Sequence, residues 1–320
     1  MIRYTLRRFL LFLFTLWLLT IVTFSLGFLF PEFKHSDPTV GSYLAYLSAI
    51  LHGDWGVSMS TGQDVTEQLW IHLGATIELS FLAMLLSLVV AIPLGILAAM
   101  NQRSMFDRWV VSAAMTGYSI PVFWLAQLLI LLFAVHYDWF AITGQITPLY
   151  DIPTRTGAVL VDVMLSDSAN ASLAFWDAVN HMVLPVIVLA MMPLTMLIRI
   201  MRDATLDVLD KNYIKAARAR GLSELKLMRR HALPNAMQPL IRQLGLQFSV
   251  LMTNALLTEV IFNRLGIGSW LVKSIYERDY PVLQSGLLVF ASFILLINLL
   301  VELYHAWRYP QVRQELYAEY

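Results

Sequence analysis

The sequence predicts an all-α integral membrane protein with six transmembrane helices. Its 320 residues are 58% hydrophobic and only 14% charged, whereas a soluble globular protein has roughly 25% charged residues. So few charged side chains could not cover the surface of a water-soluble protein of this size. Six long stretches also contain no Asp, Glu, Lys, Arg or His, and a helix needs about 20 apolar residues to cross a bilayer.

The predicted spans follow these charge-free stretches. Four of them have 22 to 27 residues, and two have 16 or 17. The fourth contains Pro193 and the fifth contains several amides, a pattern expected of helices that line a polar path and also found in buried helices of soluble proteins. The six spans are residues 9–31, 79–102, 109–135, 182–198, 243–258 and 280–301.

The distribution of Lys and Arg predicts that both termini face the cytoplasm. With this orientation the inner segments hold 17 of the 22 Lys and Arg residues and the outer segments hold five, as the positive-inside rule requires. The arginine-containing N-terminus is similar to a signal peptide, but its apolar run exceeds the usual length of about 7–15 residues. We therefore expect a first span that is retained.

The charge balance and the missing motifs exclude several functions. The chain has 22 basic and 22 acidic residues and no cysteine. A nucleic-acid-binding protein needs a basic excess, and without cysteine there is no disulfide or thiolate metal site. Gly-Lys occurs nowhere, so a P-loop is excluded, and no zinc-protease or nucleophile-elbow motif is present. We expect no catalytic residue, metal or cofactor in this chain, and ATP to be used by partner subunits.

The loop between spans four and five is the most informative segment. Residues 199–242 include ten basic and four acidic side chains. Ala216 and Ala217 favour a helix, Gly221 suits the left-handed position after its end, and Ser223 can cap a second helix. The pattern predicts a helix, a glycine turn and a second helix. Two interpretations remain open, a docking helix for another protein and a basic anchor that touches lipid headgroups.

This loop resembles the EAA loop of the permease subunits of ABC transporters, in the dipeptide/oligopeptide/nickel importer group. The group has E-A-A-x-x-x-G followed by a proline, and this chain has Lys215-Ala-Ala-x-x-x-Gly221 with Pro234 downstream. Lys215 stands where the family has glutamate. Further stretches similar to the group occur in the same order at residues 4–8, 53–58, 75–79, 119–125, 184–185, 259–262, 265–268 and 278–281.

Two parts of the chain refine this resemblance. At 309–311 the chain has Tyr-Pro-Gln where the family often has Asp-Pro-Arg, so the role of that end is open. The outer loop at 149–168 is most similar to the permeases of Sap-type peptide systems. Such systems take up antimicrobial peptides, and some members export putrescine.

The resemblance implies the fold of type I ABC importer permeases and a place in a bacterial inner membrane. Expected partners are a second permease, two cytoplasmic ATPase subunits, a periplasmic substrate-binding protein and membrane lipid. The chain would divide into a first helix with an outer segment (1–78), a permease core (79–310) and a cytoplasmic tail (311–320). The resemblance also implies contacts between the loop and an ATPase, through Tyr213, Lys215, Ala216, Ala217, Arg220, Gly221 and Pro234.

The expected function is passage of peptides, including cationic antimicrobial peptides, with polyamine export as the alternative. An ion-coupled secondary transporter would need ionisable residues within the spans, and the predicted spans contain none. An intramembrane enzyme would need a nucleophile–base pair, which the scattered Ser and His residues do not form.

Polar side chains form one stripe on each of two spans. At about 100° per residue, Gln243, Gln247, Asn254 and Thr258 lie within about 60° of each other on span five. Ser112, Thr116, Ser119 and Gln127 form a similar stripe on span three, which Pro121 can disturb. We expect both stripes to face a translocation path, and ordinary hydrogen bonding between helices is the alternative.

The outer side of the predicted protein is acidic. The first two outer loops contain only Lys34 and Arg155 as basic residues among many carboxylates, which can steer cationic substrates or simply mirror the positive-inside rule. Glu78 and Glu259 lie at the outer ends of spans two and five. We expect their carboxylates to reach water, with a gate or a contact with a binding protein as the alternative.

Overall fold

A computed structural model of the chain describes residues 2–29 and 39–309. These residues are almost entirely helical, and their only β-type contact is an isolated bridge between Val57 and Asp64. The helices are α1 (Ile2–Leu29), α2 (Val40–Leu51), α3 (Val65–Met100), α4 (Met105–Ser119), α5 (Val122–Leu129, continued by a π-helix to His136), α6 (Val159–Met164), α7 (Ala171–Leu209), α8 (Asn212–Ala219), α9 (Glu224–Leu227, followed by a π-helix over Met228–Ala232), α10 (Leu233–Ile261), α11 (Ile267–Glu277) and α12 (Tyr280–Arg308).

The six predicted spans correspond to long apolar helices. By length and composition α1, α3, α7, α10 and α12 can each cross a membrane, and α4 with α5 forms a sixth span if the bent pair counts as one. Several helices are longer than the charge-free stretches; α3 begins at Val65, where the Asp64 side chain caps the first turn by accepting from the Thr66 N–H at 2.7 Å. Pro31, at the end of the first predicted span, and the predicted tail 311–320 lie outside the described residues.

Span three is bent by 101° between its two helices. Ile120 follows α4 in an extended conformation, because the residue before a proline is disfavoured in the helical region. Pro121 is the N-cap of α5. The expectation that Gln127 shares one stripe with Ser112 is therefore wrong, since the two residues lie on helices that point in different directions.

The centre of the fold is formed by α3, α7 and α10. Small residues line the contact between α3 and α7, where Gly95 lies against Met201 and the Ser87 hydroxyl donates to the carbonyl oxygen of Ala190 at 3.1 Å. Small side chains allow the close backbone approach on which helix association in membranes depends. Helix α1 lies at the edge, where it packs on α12 and joins it through Arg8 and Glu302 at 3.1 Å.

A turn before α12 joins two distant motifs of the sequence. Asp279 precedes α12 and its carboxylate accepts from the hydroxyls of Ser58 and Ser60 and from the Met59 N–H. Burial favours the neutral acid, but these hydrogen bonds outweigh it and lower the pKa of Asp279 below its ordinary value. The Ser285 hydroxyl adds a bond to the carbonyl oxygen of Trp55 at 2.9 Å, so that the segment 53–60 is held on the start of α12.

Candidate functional site

The loop between predicted spans four and five folds as the predicted helix, glycine turn and helix. Residues 212–227 are called the coupling hairpin, after the role that the resemblance leads us to expect. Ile214 and Leu227 are both fully buried in a cluster that also contains Leu197 and Met201 of α7 and Leu240 of α10. The hairpin is therefore anchored on the two central helices rather than suspended in solvent. The hairpin therefore shares one packed core with α7 and α10.

The exposed side of α8 carries the residues expected to contact an ATPase. Tyr213, Ala216 and Arg220 are exposed and, at about 100° per residue, point to one side of the helix. Ala217 instead packs partly against the core, and Lys215 forms an ion pair with Asp210 at 3.3 Å. The small Ala216 side chain between a tyrosine and an arginine leaves room for the surface of another protein.

The turn of the hairpin has the predicted backbone conformation. Gly221 has φ of +80°, a left-handed conformation that glycine adopts without steric cost. The expected cap is only partly correct, because Ser223 stands at the N-cap of α9 but its side chain makes no capping hydrogen bond. Arg218 closes the turn instead with two hydrogen bonds to Glu224, at 2.6 and 3.0 Å, and this ion pair raises the pKa of Arg218.

Pro234 lies in the first turn of α10, directly after the π-helix Met228–Ala232. Beside it the Asn235 side chain donates to the Tyr213 hydroxyl at 3.1 Å, and the Tyr309 hydroxyl donates to the carbonyl oxygen of Pro234 at 3.4 Å. The start of α10 thus joins α8 to the end of α12.

A buried ion pair next to the hairpin is missing from the sequence-based expectations. Arg202 of α7 binds both carboxylate oxygens of Asp107 of α4, at 2.6 and 2.9 Å, and Asp107 is 3% exposed. The pair joins spans three and four at the end where the coupling hairpin begins. No local pattern indicates it, because the partners are 95 residues apart in the sequence.

The stripe on span five points into the fold. Gln247 and Thr258 are buried, while Gln243 and Asn254 are partly buried. The Asn254 side chain donates to the sulfur of Met192 on α7 at 3.3 Å. In the single chain the stripe therefore meets its own neighbouring helix, and its role in a translocation path stays a prediction.

The remaining stripe residues on span three, Ser112, Thr116 and Ser119, are exposed on α4. They lie on the side of the helix away from its buried residues, which are Asp107, Ala114 and Gly117. This surface is open in the single chain, and its role as a path wall also stays a prediction.

Glu78 and Glu259 do not reach water, contrary to our expectation. Glu259 is 1% exposed and accepts from the Thr76 hydroxyl at 2.5 Å and from the Gly268 N–H at 2.7 Å. Glu78 is 9% exposed and accepts from the N–H groups of Val159 and Leu160 at 2.9 and 2.8 Å. Each carboxylate thus caps the start of a short helix, α11 or α6, where unpaired N–H groups and the helix dipole favour an anion.

Arg264 completes this arrangement, and Thr76, Glu78, Glu259 and Arg264 are called the outer cluster, after the side on which the sequence places them. Arg264 is 2% exposed, and burial lowers its pKa to about 10 against the opposing effect of the two carboxylates. The guanidinium remains charged at neutral pH and offsets the negative charge of its neighbours. The cluster joins α3, α10, α11 and the start of α6. Its residues come from the family-like stretches at 75–79 and 259–262 and from the residue just before the stretch at 265–268.

The chain is similar to known transport proteins over its whole length. Residues 91–314 match the family described as binding-protein-dependent transport system inner membrane component. The peptide transport system permease protein SapB of Salmonella typhimurium is 40% identical over 319 residues, 99% of both chains. The putrescine export system permease protein SapB of Escherichia coli K12 has the same identity and coverage.

Two further similarities extend this result. The dipeptide transport system permease protein DppB of Escherichia coli K12 is 40% identical over 291 residues, which are 90% of this chain and 85% of that protein. Among solved structures, the inward-facing MetNI methionine ABC transporter aligns with a TM-score of 0.55 and 15% identity, covering 77% of this chain and 96% of the other. At that identity the structural match supports the fold alone.

Proposed function

The chain belongs to the family of binding-protein-dependent transport system inner membrane components, and from this membership we propose that it carries peptides across the membrane as a permease subunit of an ABC importer. It has the fold of type I importer permeases, as its sequence predicts. Relatives at 40% identity are named for transport of peptides and dipeptides. Peptides, including cationic ones, are therefore the substrates we assign.

The coupling hairpin is the observation that carries the proposal. Its exposed side, with Tyr213, Ala216 and Arg220, would receive a cytoplasmic ATPase subunit, and Ile214 anchors it in the core shared with α7 and α10. ATP would be bound and hydrolysed by two such partner subunits. Closure of the ATPase pair would then move the hairpin and its helices as a rigid body, which changes the side to which the cavity opens.

Two further partners are expected, one to complete the translocation path and one to deliver the substrate. A second, similar permease would complete the path, and a periplasmic binding protein would deliver the peptide to the outer side. The concentration of Lys and Arg in the inner segments supports a bacterial inner membrane orientation with both termini in the cytoplasm.

The two polar stripes are the proposed walls of the path. The exposed stripe of α4, Ser112 to Ser119, fits this role better than the stripe of α10, whose Gln247 and Thr258 are buried by helices of the same chain. Cysteine variants at 243, 247, 254 and 258 in the assembled transporter would be treated with a water-soluble thiol reagent. We expect the rate at which the thiols react to change on addition of ATP. Protection of the thiols at all four positions contradicts the assignment for α10.

Transport in reconstituted vesicles tests the function directly. We expect peptide uptake that requires ATP, the two ATPase subunits, the second permease and the binding protein. A matched preparation without ATP controls for binding to the vesicles. Uptake by this chain alone, driven by an ion gradient, would refute the proposal in favour of a secondary transporter.

Putrescine export is the second candidate function, because the relative named for it is as similar as the one named for peptide transport. The same vesicles in the same orientation, with putrescine and ATP enclosed, separate the two, because the enclosed side is the cytoplasmic side for both peptide import and putrescine export. ATP-dependent loss of putrescine without ATP-dependent peptide uptake would favour the second candidate.

A further inference from the structure

Helix α2 belongs to the segment that the sequence places outside the membrane, yet it has the composition of a membrane-embedded element. Val40–Leu51 contains no charged residue, and it is one of the apolar helices too short to cross a bilayer alone. None of its residues is buried by the rest of the described chain. A water-exposed helix with this composition would leave an unusually apolar surface in solvent.

The contacts of α2 lie at membrane depth. The hydroxyls of Tyr43 and Thr20 are 2.8 Å apart, and those of Tyr46 and Thr23 are 3.1 Å apart. Thr20 and Thr23 come nine and six residues before the end of α1 at Leu29, which is about 14 and 9 Å at 1.5 Å per residue. Because residues 9–29 of α1 contain no charge, both threonines lie within its apolar span.

The pairing of hydroxyls also matches what a lipid environment requires. A polar group in the hydrocarbon region must be satisfied within the protein, since no water is available there. Each tyrosine hydroxyl finds its partner on α1, and the Phe24 ring packs against both tyrosine rings, with centroids 5.3 and 5.4 Å away.

Another face of α2, centred about 110° from the two tyrosines at 100° per residue, carries an aliphatic stripe that no described residue covers. Val40, Leu44 and Leu51 are 77%, 57% and 84% exposed and project at about 0°, 40° and 20° around the helix. The neighbouring α1 exposes the same kind of surface, including Trp17 and Val22, as expected of a helix surrounded by lipid.

From these observations we propose that α2 is seated in the outer leaflet beside α1, with Val40, Leu44 and Leu51 in contact with lipid acyl chains. The helix thereby anchors the segment that follows it. That segment, 53–60, is the one that binds Asp279 at the start of α12, so that its position depends on both the lipid and the last span.

Spin labels placed on single cysteines test this proposal, since the chain has no cysteine of its own. The variants are Leu44→Cys and, as a matched control, Met59→Cys, which replaces an apolar side chain that is 60% exposed just beyond α2. The full-length chain would be placed in lipid vesicles. The frequency at which the spin label collides with molecular oxygen, which concentrates among acyl chains, would be compared with the frequency at which it collides with a water-soluble nickel chelate.

We expect oxygen collisions to dominate at position 44 and nickel collisions to dominate at position 59. A charged maleimide should react with the unlabelled cysteine at 44 about tenfold more slowly than at 59, because a thiol in an apolar environment is not ionised. Val40→Cys and Leu51→Cys are used if Leu44→Cys does not fold. Equal access of water to 44 and 59 would overturn the proposal. Nickel access at 44 that disappears only when partner subunits are added would also overturn it, since the stripe would then bind protein.

Discussion

Replacement of Glu259 tests whether the outer cluster holds α11 against α3 and α10. The carboxylate accepts from the Thr76 hydroxyl at 2.5 Å and from the backbone N–H groups of Gly268 and Ser269 at 2.7 and 3.3 Å. It also neutralises part of the charge of the buried Arg264. Removal of the acceptor therefore affects one buried and one partly buried N–H group, one hydroxyl and one buried cation.

The expected loss of stability differs between two substitutions. Glu259→Gln keeps a side-chain oxygen that can accept from the N–H groups of α11. Its amide N–H can donate to the Thr76 hydroxyl oxygen, and the Thr76 hydroxyl can then donate to the carbonyl oxygen of His72 at 3.2 Å. Only the charge is lost, and we expect the free energy of unfolding to fall by about 1.5–3 kcal/mol. Glu259→Leu leaves the N–H groups and Arg264 without this acceptor, for which we expect about 3–5 kcal/mol.

Denaturant unfolding in mild detergent, followed by tryptophan fluorescence, measures this order. The matched control is Glu277→Gln, which makes the same change of charge at the last residue of α11. Glu277 is solvent-accessible and pairs with Lys273 at 3.7 Å, so we expect a loss of about 0–1 kcal/mol. Unfolding midpoints should fall in the order Glu277→Gln, Glu259→Gln, Glu259→Leu. A Glu259→Leu midpoint equal to that of Glu277→Gln would refute the role of the cluster.

Three further changes test the coupling hairpin, the buried ion pair and the outer turn. Gly221→Val forces a β-branched residue to φ of +80°, which costs about 1–2 kcal/mol of conformational strain, and we expect less peptide uptake per ATP hydrolysed. Gly221→Asn tolerates this conformation and should couple normally. Equal coupling in the two variants contradicts the role of the turn. Asp107→Ala should lower the thermal midpoint, because Arg202 then keeps only its exposed partner Asp203. The exchanged pair Asp107→Arg with Arg202→Asp should recover part of the loss, and no recovery would mean that the two side chains act independently. The lowered pKa of Asp279 stabilises the folded state at pH values above the ordinary pKa of 3.8, and this contribution is lost as the pH falls through the lowered pKa. Asp279→Asn should therefore unfold at a lower denaturant concentration than the unchanged protein at neutral pH, and the two should converge in acid. A difference in stability that is independent of pH would show that the charge is not responsible.

The number of spans and the shape of the coupling hairpin were accessible from local features of the chain. Apolar runs without charge mark the spans because the bilayer is a uniform apolar solvent. Gly221 marks the turn because only a residue without a side chain adopts positive φ without cost, and the neighbouring alanines favour helix whatever surrounds them.

The placement of charged and polar side chains was decided by tertiary structure. Glu259 was expected to reach water, but its acceptors are filled by N–H groups of α11 and by Thr76, which is 183 residues away in the sequence. Asp107 and Arg202 meet only because α4 packs on α7, and the sharp bend of span three removes Gln127 from its predicted stripe. Burial and hydrogen bonding of such groups depend on which segments come together, and hydropathy along the chain contains no information about that.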